Sequence, residues 1–228
     1  MHIGKVIAFA VICSIFCACK NNTIETSNTT TNCVHDSSED ANVFATSTGA
    51  LSVDDEAYKM TQDGLVYEIL DDHVVISGYV GSSTQVSIPE TIEGKDVTEI
   101  GEDAFEETVI ETIDLTNKIT IIGDNAFNSC PLKEITLPDS VTYLGEFAFY
   151  CSDVQKVVLP KGLESIQRYT FYGCDQLREI NIPDSVLGID EYAFIGCISL
   201  KEIVLPANTG YALRAFNPEN GILIKHKE

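Results

Sequence analysis

Apolar residues recur in this chain in a pattern that repeats every 22 or 23 residues. Most repeats begin with a form close to L-x-x-I-x-L-P and end with an alanine or threonine followed by a phenylalanine. The phenylalanines that mark the period are Phe105, Phe127, Phe149, Phe171, Phe194 and Phe216, and the prolines are Pro138, Pro160, Pro183 and Pro206. Two markers that share one period of this length predict a stack of similar coils.

One repeat, residues 132–151, shows the elements that each coil is expected to contain. The alternating apolar residues Ile135 and Leu137 predict a short strand, which Pro138 ends because proline has no backbone N–H. A second short extended piece follows, and then a single helical turn that carries Ala148 and Phe149 inward. Because a lone coil buries too little apolar surface to be stable, the coils must stack. The sequence therefore predicts an α/β solenoid of about six coils of 22–23 residues over residues 84–216.

The segments on either side of the repeats differ from them in composition. In residues 63–83, alternating Leu65, Tyr67 and Ile69, two aspartates and a second β-rich run predict an N-terminal β-hairpin cap. Residues 19–62 are rich in Ser, Thr and Asn and contain few large apolar side chains, which predicts a flexible stalk. Residues 217–228 are expected to form a C-terminal tail.

Residues 1–18 have the composition of an export signal. A lysine near the start precedes an apolar run that is too short to span a bilayer, which is typical of a secretory leader. The run ends in Phe16, Cys17, Ala18 and Cys19, which resembles the lipobox of bacterial lipoproteins and implies lipidation at Cys19. Ordinary signal cleavage and an uncleaved anchor remain alternatives. We expect an exported protein, located on the outer membrane or the cell surface as a lipoprotein.

The charge of the chain restricts its partners. It contains 35 acidic and 14 basic residues, for a formal net charge of −21, and it has no cluster of Lys or Arg. Such a surface repels phosphate backbones and anionic lipid head groups. We therefore expect no nucleic-acid partner, and contact with a membrane only through the N-terminal lipid anchor.

The repeats resemble a known family. The units themselves, the inserted stretch IPETIEGKDVTEIGEDAF and the preceding VVISGYVGSS are similar to the BspA-like leucine-rich repeat family of bacterial and protist surface proteins. The resemblance covers about residues 65–216 and implies a leucine-rich-repeat solenoid. It also implies a non-enzymatic, adhesin-like module on the cell surface that binds a host or neighbouring-cell protein. The alternative is a structural or scaffolding lipoprotein that faces the envelope.

The outward side chains of the repeat strands form the candidate binding surface. In L-x-x-I-x-L the residues between the apolar ones point away from the core, toward the concave surface on which leucine-rich solenoids usually bind partners. The first column contains Thr112, Glu134, Lys156, Glu179 and Glu202, and the second contains Asp114, Thr136, Val158, Asn181 and Val204. Val158 and Val204 are apolar at positions where solvation alone would not favour valine.

The chain offers little catalytic chemistry. The histidines outside the leader, His35, His73 and His226, are far apart in the sequence. A nucleophile needs a positioned base, and none of these histidines lies in a catalytic motif. We expect no catalytic residues and no cofactor.

Four cysteines follow the repeat phenylalanines. Cys130, Cys151, Cys174 and Cys197 are 21, 23 and 23 residues apart, which predicts one shared position on successive coils. With coils about 4.8 Å apart, the ends of such a column are too far apart to ligate one zinc ion. A ladder of buried reduced thiols is the favoured interpretation. A disulfide between neighbours and a metal site are the alternatives.

Overall fold

The computed structural model describes residues 59–217 and 221–227. Within these residues the chain winds through two sheets of short strands. The sheet that we call the front sheet has one strand per coil: β4 (Gln85–Ser87), β7 (Thr112–Asp114), β9 (Glu134–Thr136), β11 (Lys156–Val158), β13 (Glu179–Asn181), β15 (Glu202–Leu205) and β17 (Leu223–His226). Seven such strands in the described residues make a solenoid of about seven coils, one more than the sequence predicted.

The second sheet runs along the other side of the coils. It contains β1 (Lys59–Met60), β2 (Leu65–Ile69), β3 (His73–Tyr79), β5 (Thr91–Ile92), β6 (Lys95–Ile100), β8 (Ile121–Ile122), β10 (Tyr143–Leu144), β12 (Ser165–Ile166), β14 (Gly188–Ile189) and β16 (Gly210–Tyr211). Neighbouring coils pair in parallel from β6 through β8 to β10, and again from β12 through β14 to β16, and in the described part of the chain no ladder joins β10 to β12. Strands β2 and β3 pair antiparallel and form the expected hairpin.

A column of phenylalanines fills the space between the sheets. Phe105, Phe127, Phe149, Phe171, Phe194 and Phe216 stack in sequence with ring centroids 5.3–5.6 Å apart. The first five rings are fully buried and Phe216 is 8% exposed. Each stacked aromatic pair adds about 0.5–1.5 kcal/mol to the free energy of burial. The column therefore joins the coils into one continuous core.

The predicted helical turn in each coil is wrong, and the described residues contain no helix. Around Phe149 the backbone forms turns, with a positive φ of 58° at Phe147 and of 51° at Cys151. Helices require φ near −60°, so these two left-handed residues exclude one. The α/β class was therefore too broad, and the solenoid is built from strands and turns.

The described strands extend past both predicted ends of the domain. Strand β1 lies in the segment expected to be stalk, where Lys59 pairs with Tyr67 of β2. Strand β17 lies in the segment expected to be a C-terminal tail and pairs in parallel with β15 along four residues. The predicted leader, most of the predicted stalk and Cys19 lie outside the described residues. None of the described residues belongs to a helix that could cross a membrane.

Candidate protein-binding surface

The ten side chains predicted to face outward lie on the front sheet and alternate with buried residues. In β9 and β7, for example, the middle residue is buried and the two flanking residues are exposed. Eight of the ten are exposed, while Lys156 and Val158 are half-buried. Strand register aligns them into two columns, as in Glu134, Lys156 and Glu179 in the first column. We call this outward side of the front sheet the front face.

The front face is longer than the sequence predicted. Gln85 and Ser87 of β4 pair with Thr112 and Asp114 at one end. Leu223 and Lys225 of β17 pair with Glu202 and Val204 at the other. The sequence contains a signal for β4, because residues 84–89 read TQVSIP and keep the alternation that ends in proline. The signal for β17 is weaker, since no proline follows LIKH.

Ion pairs cross the coils on the front face. Lys156 Nζ lies 2.8 Å from a carboxylate oxygen of Glu179, and Lys225 Nζ lies 2.7 Å from one of Glu202. The hydrogen bond to Glu179 raises the pKa of Lys156. All four side chains are in contact with solvent, with 42–67% of each side chain exposed, and surface pairs of this kind contribute about 0–1 kcal/mol. Their main effect is to neutralise charge locally.

The described strands of the front sheet form three separate ladders, β4 with β7, β9 to β13, and β15 with β17, so the sheet is interrupted between β7 and β9 and again between β13 and β15. Strand β11 pairs residue by residue with both β9 and β13, but no ladder joins β13 to β15. A groove of about 540 Å³ opens there, and Ile180, Asn181, Ile182 and Val204 line its floor. Ile180 is half-buried, whereas Ile203, at the same position one coil later, is 1% exposed. Ile180 and Val204 thus add apolar surface to the floor of the groove.

The cysteine column differs from the prediction by one residue. The buried column position is the third residue after the coil phenylalanine, and it is occupied by Thr108, Cys130, Ser152, Cys174 and Cys197. Cys151 is the second residue after Phe149, in a left-handed turn, and is only half-buried. The 21-residue interval from Cys130 to Cys151 reflects this shift. Ser152, 1% exposed, takes the column position instead.

The three column thiols, Cys130, Cys174 and Cys197, are buried and form no disulfide. Cys130, Cys151, Cys174 and Cys197 are all free of disulfides. Burial raises the pKa of the Cys130 thiol to about 11 and also raises the pKa of the Cys174 and Cys197 thiols. Metal ligation requires thiolates, which this environment disfavours. Nowhere in the described part of the chain do three or more His, Cys, Asp or Glu side chains gather as a metal site would require.

The two described histidines lie far apart in the fold. His73 begins β3 near the N-terminal cap, where its Nδ1 lies 2.7 Å from a carboxylate oxygen of Asp72. That hydrogen bond lowers the pKa of Asp72. His226 ends β17 in the last coil and is exposed. The third histidine, His35, lies outside the described residues.

The fold resembles solved structures of bacterial leucine-rich repeat proteins. A leucine-rich cell surface protein from Faecalibacterium prausnitzii A2-165 is 25% identical, with a TM-score of 0.54, and the alignment covers 77% of this chain and 56% of that protein. A leucine-rich repeat protein from Bacteroides ovatus is 24% identical, with a TM-score of 0.45 and coverages of 70% and 57%. The leucine-rich repeat protein of T. pallidum is 23% identical, with a TM-score of 0.40 and coverages of 62% and 91%. No curated protein matches this chain.

The repeats also match a family model. The model describes the BspA type leucine rich repeat region, and it matches six copies over residues 82–219, which is more than half of the chain. Repeats of this family are generally non-enzymatic scaffolds, and the matches indicate no catalytic family. The phenylalanine column and the parallel strands of the front sheet agree with this match. The chain therefore belongs to the BspA-type leucine-rich repeat family.

Proposed function

We propose that this protein is an exported, adhesin-like module that binds a protein partner through its front face at the cell surface. The observation that carries the proposal is the geometry of that face. Seven strands within the described residues present two aligned columns of outward side chains. Repeat solenoids use extended surfaces of this kind to bind partners. The family assignment and the cell surface relative from F. prausnitzii support the same interpretation.

The mixture of side chains on the front face suits a protein partner. Val204 is 37% exposed and Leu223 is 53% exposed among charged and polar neighbours. Exposed apolar side chains supply the part of a binding energy that comes from water release. Polar neighbours such as Thr136 and Glu134 supply directional contacts. Glu134 makes no ion pair within the described residues, so its charge is available to a partner.

The anchoring part of the proposal rests on the N-terminal sequence. In this proposal, Cys19 carries the lipid, and the residues between Cys19 and β1 link it to the solenoid, which begins at Lys59. A linker of this composition keeps the front face free to meet large partners at a distance from the membrane. Membrane contact is then limited to the lipid, since a net charge of −21 repels anionic head groups.

Protease treatment of intact cells tests the location. Cells that make the full chain are treated with protease, and the protein is then detected with an antibody raised against the solenoid. We expect cleavage on intact cells, together with adherence to layers of a second cell type that is lost when the protein is removed. A protein that stays uncut on intact cells but is cut in lysed cells would instead support the envelope-facing scaffold.

A further inference from the structure

The groove between β13 and β15 brings apolar side chains and an unpaired cation together on the front face. We infer that it is the anchor point for one segment of the partner, an extended peptide that carries apolar side chains and a carboxylate at one end. This inference rests on the proposed function and names the chemistry that the front face recognises. It follows from the apolar side chains Ile180 and Val204 in the groove and from one uncompensated positive charge.

Within the described residues, backbone hydrogen bonds that join other coils of the front sheet are missing between β13 and β15. The N–H groups of Arg178 and Glu179 donate to the carbonyl oxygen of Gln155 in the preceding coil, at 2.9 and 3.2 Å. The equivalent groups of Lys201 and Glu202 make no such bond to the coil of β13 among the described backbone hydrogen bonds. A peptide that lies over this groove, along the strands, would therefore meet the side chains of the groove and would not add a strand to the sheet.

Two polar side chains that line the groove have fixed partners in the protein. Asn181 accepts a 2.7 Å hydrogen bond from the N–H of Leu159 in the preceding coil, and its amide nitrogen donates to the carbonyl oxygen of the same residue. Asn181 therefore does not bridge toward β15. At one end of the groove, Lys227 Nζ donates to the carbonyl oxygen of Ile182 and pairs with Asp184. This contact fixes that end of the groove.

The charges around the groove leave one cation uncompensated. Of the charged residues that line it, Glu179 pairs with Lys156, Glu202 with Lys225, Asp184 with Lys227, and Lys161 with Asp139. Arg178 is the exception. Among the lysines and arginines that the structure describes, it is the one whose side chain makes no hydrogen bond or ion pair.

An acidic ligand is the chemical complement of this arrangement. A guanidinium binds a carboxylate through two parallel hydrogen bonds, which gives both affinity and orientation. The strongly negative charge of the remainder of the chain repels acidic segments elsewhere. The groove runs along residues 178–184, and seven extended residues span roughly 20 Å at about 3.3 Å each. The occupant that fits is a peptide of about this length, with its carboxylate at Arg178 and apolar side chains over Ile180 and Val204.

Synthetic peptides test the inference on the full chain. The probes are heptapeptides with an amidated C-terminus and a neutral fluorophore, which alternate valine and threonine and carry aspartate, asparagine or lysine at either terminal position. Fluorescence anisotropy gives the Kd of each. We expect an aspartate peptide to bind about tenfold more tightly than its lysine counterpart, because one charge-assisted contact is gained or lost.

Three substitutions in the groove test whether the peptide binds there or only responds to the overall charge of the chain. Arg178→Gln should remove the preference for aspartate over asparagine, and Arg178→Glu should reverse the preference toward lysine. Val204→Lys should weaken the binding of the asparagine peptide by removing the apolar floor. Lys201→Glu is the matched control, because it makes the same charge change one coil away outside the groove lining, and it should preserve the preference for aspartate. Thermal unfolding confirms that each variant is folded.

The outcomes decide the inference independently of the adhesin proposal. An aspartate preference that survives Arg178→Glu, or that Lys201→Glu removes to the same extent, overturns the assignment. Absence of any peptide binding to the wild-type chain also overturns it. Cells whose adherence is independent of the front face would refute the proposed function, yet the peptide preference at Arg178 would still be measurable in the purified chain.

Discussion

The thiol of Cys174 donates a 2.9 Å hydrogen bond to the backbone carbonyl oxygen of Phe149, one coil earlier. Cys197 makes the same contact with Phe171 at 3.0 Å. Each of these thiols therefore links its coil to the preceding one beside the phenylalanine column. Their burial is part of how the coils are joined, and this explains why small side chains with a donor group recur at the position.

The first prediction concerns the donor at this position. Cys174→Ala should lower the free energy of unfolding by about 1–2 kcal/mol, because it removes the hydrogen bond to Phe149 and leaves a small cavity. Cys174→Ser should cost less than Cys174→Ala, because serine keeps a donor and Ser152 already occupies the equivalent position. Urea unfolding of the three proteins measures both differences. A serine variant less stable than the alanine variant would show that the apolar sulfur, rather than the hydrogen bond, is required.

The second prediction is a dependence of stability on pH that arises from Cys130. Burial raises the pKa of this thiol from 9.0 to about 11 in the folded protein. Between these values the unfolded state loses the proton while the folded state keeps it, so the free energy of unfolding falls as pH rises. Over the whole interval the loss should reach roughly 2–3 kcal/mol.

A comparison with Cys130→Ser isolates this thiol from the tyrosines and lysines that titrate in the same range. Urea unfolding at a series of pH values should show a smaller loss of stability between pH 9 and 11 in the variant. Equal losses in the two proteins would mean that the Cys130 thiolate is as well solvated in the folded state as in the unfolded chain.

The periodicity was sufficient to predict the stacked core and the outward columns. A strand such as β9 follows directly from Ile135 and Leu137, since alternation specifies which side chains are buried. The turns after it were not predictable from polarity, because the left-handed residues at Phe147 and Cys151 do not belong to the types that favour positive φ. The opening between β13 and β15 was also missed. It depends on hydrogen bonds between coils, and the consensus residues of the two strands are the same.

The third prediction concerns aromatic residues in left-handed conformations. Phe147, Tyr169 and Tyr192 have φ of 58°, 58° and 65°, at the position where an earlier coil has Asn125. Their rings stack at 4.7 and 4.9 Å. Stacking contributes about 0.5–1.5 kcal/mol for each pair, and the left-handed backbone costs a bulky residue about 1–2 kcal/mol. The stack therefore offsets the strain.

Two substitutions of Tyr169 separate these effects. Tyr169→Asn loses the ring stacking but lowers the strain of the left-handed backbone, because asparagine tolerates positive φ. Its free energy of unfolding should therefore lie within about 2 kcal/mol of the wild type. Tyr169→Ala loses the stacking without that relief and should be about 1 kcal/mol less stable than the asparagine variant. Chemical denaturation measures the difference. If alanine and asparagine prove equally stable, the left-handed turn imposes no strain on the side chain at this position.

The last prediction tests whether the front face is the binding surface. Cells that display the full chain with Glu134→Lys, Glu179→Lys and Glu202→Lys should lose adherence, because three charges of one column are reversed. The matched control carries Glu102→Lys, Glu164→Lys and Asp190→Lys, which change the net charge equally at exposed positions on the side of the second sheet. Adherence should survive in the control, which excludes a general effect of charge.

Stability must be measured in both triple variants. Glu179 and Glu202 pair with Lys156 and Lys225, so each of these two substitutions replaces an ion pair with two neighbouring lysines. Each lost surface pair costs about 0–1 kcal/mol, so the front-face variant should remain folded with a modestly lower Tm. A folded front-face variant with unchanged adherence would move the binding surface to the second sheet or the stalk. Equal loss in both variants would mean that adherence depends on the overall negative charge, and the columns of the front face would then have no role in recognising the partner.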